Sequence, residues 1–222
     1  VLRQRSVGGG SDDGITQAGK YSLLLGSSHT LTAGWDLEHR DREERRTTTD
    51  AAGQPVDADF EGQPFDAQVR RHALFVQDEW ELSPQWQLYL GVRSERITTN
   101  SGSTGAPVRN TSSVTSPLLH LTYKFDPKGR DQIRASLTRS YKAPNLGTLL
   151  ARPVRNAQYP NRTDENTALA PDRIGNPLLA PELATGLDIA YENYLANGGL
   201  VSIGLFHRRL TDVVRNTLTQ RT

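Results

Sequence analysis

From Leu31 onward the side chains alternate: Leu31, Ala33, Trp35 and Leu37 on one side, Thr32, Gly34, Asp36, Glu38 and Arg40 on the other. A period of two belongs to a strand with one apolar face, because successive Cβ atoms point to opposite sides. The pattern returns along the chain. Leu88, Leu90 and Val92 oppose Gln87, Tyr89, Arg93 and Glu95; Ile133, Ala135 and Leu137 oppose Gln132, Arg134, Ser136 and Thr138. Leu187, Ile189 and Tyr191 oppose Gly186, Asp188 and Glu192, and Val201, Ile203 and Leu205 share a face that Phe206 blurs. Segments 69–82 and 113–125 alternate less cleanly. No long segment repeats apolar residues at i, i+3, i+4 and i+7, so helices are not expected.

This reading gives about nine strands, at 1–7, 20–26, 29–44, 69–82, 87–100, 113–125, 130–141, 183–195 and 200–215. Several are about twice the 5–6 residues usual in soluble proteins. At roughly 3.3 Å per residue, about 13 residues reach some 43 Å, which at a 45° tilt spans the ~30 Å core of a bilayer. The expected connections alternate in length. Short ones fall at Gly26-Ser27-Ser28, Ser83-Pro84-Gln85-Trp86, Asp126-Pro127-Lys128-Gly129 and Ala196-Asn197-Gly198-Gly199, and long ones at 8–19, 45–68, 101–112 and 142–182. An up-and-down meander with tight turns at one end and long loops at the other matches a transmembrane β-barrel, whereas a soluble sandwich has no reason to segregate its loops.

Composition narrows the function. The 222 residues carry 26 Lys+Arg against 25 Asp+Glu, a net charge of +1, which argues against a dedicated nucleic-acid binder. Only 35 % are hydrophobic, thin for a conventional core. Cysteine is absent, which removes disulfides, thiolate catalysis and Cys-ligated metals. No apolar run approaches the ~20 residues of a membrane helix. The first and last residues read as the middle of elements, so residues 1–222 are expected to be part of one barrel domain within a longer polypeptide.

Aromatic residues gather near the short turns: Trp80 and Trp86, Tyr123 and Phe125, Tyr191 and Tyr194. At one end of the strands they form an interfacial girdle. Asp36, Glu38, Arg93, Glu95, Arg134, Asp188 and Glu192 then face a wet or plugged lumen.

Several motifs resemble TonB-dependent outer-membrane receptors. Phe75-Val76-Gln77-Asp78-Glu79-Trp80 followed by Leu90-Gly91-Val92-Arg93 is similar to a strand–turn–strand of that family. Ser140-Tyr141-Lys142-Ala143-Pro144-Asn145-Leu146 resembles its "F-R-A-P" segment, and Asn176-Pro177-Leu178-Leu179-Ala180-Pro181-Glu182 its "N-P-x-L-x-P-E" return into the barrel. Leu200–Phe206 fits the strand that follows. The resemblance implies an all-β, antiparallel barrel of about 22 strands in the Gram-negative outer membrane. It also implies an N-terminal plug, energy supplied by TonB, and import of scarce ligands, commonly ferric siderophores. The plug, the TonB-contacting segment and the last strands are expected outside this chain. Lipid and lipopolysaccharide are expected partners. A passive porin, a soluble carbohydrate-binding module and an outer-membrane lipase are the rival readings.

No G-x-S-x-G, H-E-x-x-H or P-loop occurs, and neither an enzyme activity nor a cofactor nor a metal is expected. Gly8–Gly14, with Asp12 and Asp13, reads as a flexible polar loop rather than a calcium site. The charged run 41–46 reads as solvated, with lipopolysaccharide phosphates the alternative. The long 142–182 loop carries the candidate ligand contacts, Arg152, Arg155, Tyr159, Arg162 and Arg173, because guanidinium groups suit carboxylate and catecholate-like oxygens. Haem receptors of the family place a histidine between the two motifs. Residues 145–175 contain no histidine, cysteine or methionine, which points to a siderophore or other anionic nutrient instead.

Overall fold

The computed structural model describes residues 4–55, 65–102, 108–126, 128–149, 168–169, 171 and 173–219. Among the described residues eight strands form one sheet in chain order: β1 (Gln4–Leu25), β2 (His29–Asp50), β3 (Phe65–Glu81), β4 (Trp86–Gly102), β5 (Val108–Lys124), β6 (Asp131–Lys142), β7 (Glu182–Tyr194) and β8 (Leu200–Thr211). A single turn of helix, α1 (Leu146–Leu149), follows β6. Every neighbouring pair is antiparallel, so the all-β up-and-down expectation holds. Among the described residues no helix is long and apolar enough to cross a membrane.

Directly paired residues share a face, and the registers therefore sort the whole sheet. One face is apolar. Ala33, Val76 and Val92 lie in one row, Leu90, Leu119, Leu137 and Leu187 in another, and Ile133, Tyr191 and Ile203 in a third. Along β2 this face runs from Leu31 to Leu37, about 23 Å of strand at roughly 3.3 Å per residue, which at a 45° tilt covers about 16 Å of the ~25 Å apolar band of a membrane barrel. These side chains are open: Leu74 is 68 % exposed and Leu205 76 %. The opposite face is polar and far less exposed, with Thr32, Glu95, Thr99 and Ser101 all buried. A soluble sheet would show the reverse.

The structure corrects the expected loop at 8–19. That stretch is part of one 22-residue strand, so residues 4–7 and 20–25 of the two segments expected there both belong to β1. Its glycines and aspartates disfavour strand on propensity, but β2 runs 22 residues alongside and pairs with every one of them from Leu25–His29 to Gln4–Asp50. This hairpin stands far above the apolar rows. Strands also consume most of the expected 101–112 loop, because Ser101 pairs with Val108. β8 stops at Thr211 rather than 215, where Asp212 takes a left-handed φ of 57°. The ladder between β5 and β6 ends at Leu118–Thr138, next to Pro117, which has no N–H to donate.

The short turns are where sequence placed them, at one end of the sheet (the turn end). Gly26, Gly129 and Gly198 adopt φ of 66°, 63° and 85° there, a conformation other residues take at a cost. At the opposite loop end, β2 leads into β3 and β6 into β7.

Candidate functional site

The polar face carries a network of charges that no single strand could build. Arg93 of β4 donates from Nη1 to Asp36 Oδ2 of β2 at 2.7 Å, and from Nε to Glu95 Oε1 at 2.7 Å. Its guanidinium also lies 5.9 Å from the ring centre of Phe75 on β3. Arg71 of β3 reaches Glu38 Oε2 at 2.8 Å and Glu95 Oε2 at 3.9 Å. Glu95, only 7 % exposed, is thus the hub of two arginines. Such a desolvated carboxylate is tolerated only because these cations and a hydroxyl surround it. Arg71 Nε is buried and donates to nothing among the described residues. Farther round, Gln132 Nε2 donates to Glu192 Oε2 at 2.7 Å, Ser136 Oγ to Asp188 Oδ2 at 3.0 Å, and Arg208 Nη2 to both Asp188 oxygens at 2.7 and 2.9 Å.

Asp36, Glu38, Arg93, Glu95, Arg134, Asp188 and Glu192 all lie on this face, as the alternation indicates. Arg71 was missed because β3 mixes apolar and charged residues on both faces. Only its register with β4, Arg71 opposite Ile97, reveals its side.

The root of the long β6–β7 connection is anchored to the same face. The Tyr141 hydroxyl donates to Glu95 Oε2 at 2.7 Å, reaching past β5. Asn145 caps α1 by accepting from Thr148 N at 2.9 Å, and Leu149 at the end of the helix is 2 % exposed. Asn176 N donates to Thr148 O at 2.7 Å, joining the outgoing and returning limbs. On β5, Asn110 Nδ2 donates to Pro177 O at 2.7 Å and Leu179 O at 3.0 Å. Glu182, at the foot of β7, accepts from Val214 N at 2.8 Å and meets Lys142 Nζ at 3.4 Å. The two motifs at 140–146 and 176–182 are therefore one hydrogen-bonded neck.

Of the candidate ligand contacts, Arg152, Arg155, Tyr159 and Arg162 lie outside the described residues. Arg173 is exposed on the returning limb, three positions before Asn176. Aromatic residues at the turn end meet in a chain: Trp86 and Tyr123 at 4.5 Å between ring centres, Tyr123 and Phe125 at 5.1 Å, Phe125 and Tyr191 at 6.5 Å. Trp80 stacks on His29 at 4.8 Å, while His29 Nδ1 contacts Asp78 Oδ2 at 2.7 Å. Tyr194 does not join the chain; its hydroxyl donates to Glu192 at 3.1 Å on the polar face. The Gly8–Gly14 aspartates form no cage. Asp12 takes a two-pronged bond from Arg40 at 2.5 and 2.6 Å, and Asp13 sits on the other face. Among the described residues no group of three His, Asp or Glu side chains could hold a metal.

Solved structures share this fold at low sequence identity. The siderophore receptor PiuA from Acinetobacter baumannii matches with a TM-score of 0.56 and 16 % identity, covering 89 % of this chain and 32 % of that one. The alcaligin outer-membrane receptor FauA from Bordetella pertussis matches with a TM-score of 0.58 and 14 % identity, over 93 % of this chain and 30 % of that one. The copper transporter OprC matches with a TM-score of 0.56 and 18 % identity, over 83 % and 28 %. The chain thus spans about a third or less of their length. No curated protein sequence matches the chain significantly. The sequence model "TonB dependent receptor-like, beta-barrel" matches residues 3–222, nearly the whole chain, and the chain belongs to that family of outer-membrane transport proteins.

Proposed function

We propose that this chain forms part of the wall of a receptor that binds a ferric siderophore or similar anionic chelate and imports it with energy delivered through TonB. The observation that carries this reading is the anchored neck. Tyr141, Asn110 and the Thr148–Asn176 bond root the long arginine-bearing connection on the polar face, beside the Glu95 network. That connection carries the candidate ligand contacts Arg152, Arg155, Tyr159, Arg162 and Arg173. Between the motifs, four arginines stand against Asp164, Glu165 and Asp172, a balance that suits an anionic cargo. The related structures are named for a siderophore, for alcaligin and for copper, so family membership leaves the cargo to the loop.

Uptake of a radiolabelled ferric siderophore by cells producing the full-length receptor tests the reading. Uptake that stops without TonB, and falls sharply when the four loop arginines become Ala, supports it. TonB-independent uptake indicates a passive channel. A tight 1:1 haemin complex with a Soret shift that vanishes in Tyr159→Phe overturns the anionic-chelate assignment.

A further inference from the structure

The cations of β6–β8 on the polar face differ from those of β3 and β4. Arg71 and Arg93 each meet two carboxylates, and the three acids around them, Asp36, Glu38 and Glu95, outnumber the two arginines. Among the described residues Lys142, Arg208 and Arg134 each meet one carboxylate. Lys142 Nζ lies 3.4 Å from Glu182 Oε2, Arg208 Nη2 2.7 Å from Asp188 Oδ1, and Arg134 Nη1 3.3 Å from Glu192 Oε1. These side chains are open, 81 %, 43 % and 57 % exposed in that order, and Arg71 and Arg93 are less so.

The registers set the three at even steps. Lys142 pairs with Glu182 at the neck, Thr138, Gly186 and Arg208 form one row, and Arg134 pairs with Ala190 toward the turn end. The rows of residues 142, 138 and 134 are four positions apart along β6, about 13 Å at roughly 3.3 Å per residue. Each carboxylate also has a neutral donor. Glu182 accepts from Val214 N at 2.8 Å, Asp188 from Ser136 Oγ at 3.0 Å, and Glu192 from Gln132 Nε2 at 2.7 Å. A cation can therefore swing away from the wall without leaving its acid unpaired. Exposed ion pairs contribute little to stability, so the swing costs little. Arg208 is the most firmly held of the three. It also donates to Leu187 O at 3.3 Å and His207 O at 3.1 Å, and lies 5.8 Å from the ring centre of Phe206.

We propose that Lys142, Arg208 and Arg134 form a ladder of cations that passes an anionic chelate down the barrel wall, from the neck toward the turn end. Guanidinium groups offer several donors to carboxylate or catecholate oxygens, and lysine a mobile point charge. Several weak sites in series suit transport better than one tight site, because the cargo must leave each as readily as it enters. The wall of β2–β4 is unsuited to this role, since its two arginines are doubly engaged and its surplus charge is negative. The ladder rests on the reading of the cargo as an anionic chelate and adds the route that the cargo takes.

The test measures surface binding and TonB-driven uptake separately, in cells producing the full-length receptor. The probes are radio-iron complexes of citrate and of a tris-catecholate siderophore, both anionic. Wild type is expected to import at least one of them. The Arg134→Gln/Arg208→Gln variant is expected to bind that complex at the surface as wild type does and to import it about fivefold or more slowly, and Arg134→Lys/Arg208→Lys to recover part of the rate. Glu192→Gln, which frees Arg134, is expected to import it at least as fast as wild type. Heat-modifiable gel mobility identifies folded variants. If the double variant fails to fold, Arg134→Gln and Arg208→Gln carry the comparison singly, each with a smaller loss. A folded double variant with the wild-type uptake rate overturns the ladder. So does equal slowing by Arg134→Gln and Glu192→Gln, which marks a structural pair. A loss of surface binding as large as the loss of uptake also overturns it, because the arginines then belong to the outer site. Wild type that imports neither complex overturns the anionic-cargo reading itself, and the ladder with it, before any variant is compared.

Discussion

The Tyr141 hydroxyl meets Glu95 Oε2 at 2.7 Å although a whole strand, β5, separates their backbones. The contact is possible because the β5–β6 ladder stops beside Pro117, which frees the upper end of β6 from β5. Pro117, a residue that breaks pairing, thereby lets the end of β6, at the root of the loop, reach the buried hub of the charge network. Tyr141→Phe removes one donor to a largely buried carboxylate. It should cost about 1–3 kcal/mol and speed proteolysis within the β6–β7 connection of the full-length receptor. Cleavage at the wild-type rate would show that the neck is held without Tyr141.

Asn110 offers a sharper test of the same neck. Its amide faces two carbonyl oxygens, Pro177 O and Leu179 O, so only a donor fits. Asn110→Ala loses two hydrogen bonds of about 1 kcal/mol each. Asn110→Asp, nearly the same shape, places a carboxylate against both carbonyls and should loosen residues 173–181 more than Ala does. Hydrogen exchange of that segment measures the difference. Equal protection in the two variants would argue that the bonds contribute little.

Gly34 is required by packing rather than by conformation. A Cβ built there would lie 2.5 Å from the Phe75 ring and 2.5 Å from Gly19 O. The ring covers bare backbone on the polar face, and this leaves Phe75 within reach of Arg93. Gly34→Ala should destabilise the barrel by about 1–3 kcal/mol through overpacking. Adding Phe75→Leu should recover only part of that, because the backbone oxygen cannot move aside. Thermal unfolding of the two variants decides, and full recovery would place the whole clash on the ring.

Much of this architecture is legible in the sequence, and the illegible parts share a cause. Alternation in β2, β4, β6 and β7 fixed both strand and face, since a one-residue slip would send Asp36 or Glu192 to the lipid side. Glycine-bearing turns at 26–28 and 196–199 marked the ends. The run 8–19 misled because its propensities argue for loop, while the ladder supplied by β2 decides its conformation. The charge network was half visible: Asp36, Glu38, Arg93 and Glu95 could be sided, but which of them touch depends on register, a long-range property. The Asn110 and Tyr141 contacts span 67 and 46 residues of sequence, and no local pattern announces them.

The separation of turns from loops makes a topological prediction. Gly26, Gly129 and Gly198 all lie at turns of one end, where β1 meets β2, β5 meets β6 and β7 meets β8. The Asp50–Gln54 turn, closed by Gln54 N and Ala52 N donating to Asp50 Oδ1 at 2.8 Å, lies at the other end, where β6 also ends and β7 begins. In an outer-membrane barrel short turns face the periplasm and long loops the exterior. Epitope tags inserted in the full-length receptor at Lys128 or Asn197 should therefore stay hidden from antibody on intact cells and appear only after permeabilisation. Tags at Gly53 or Gln158 should be labelled directly. Labelling of Lys128 or Asn197 on intact cells would invert the orientation.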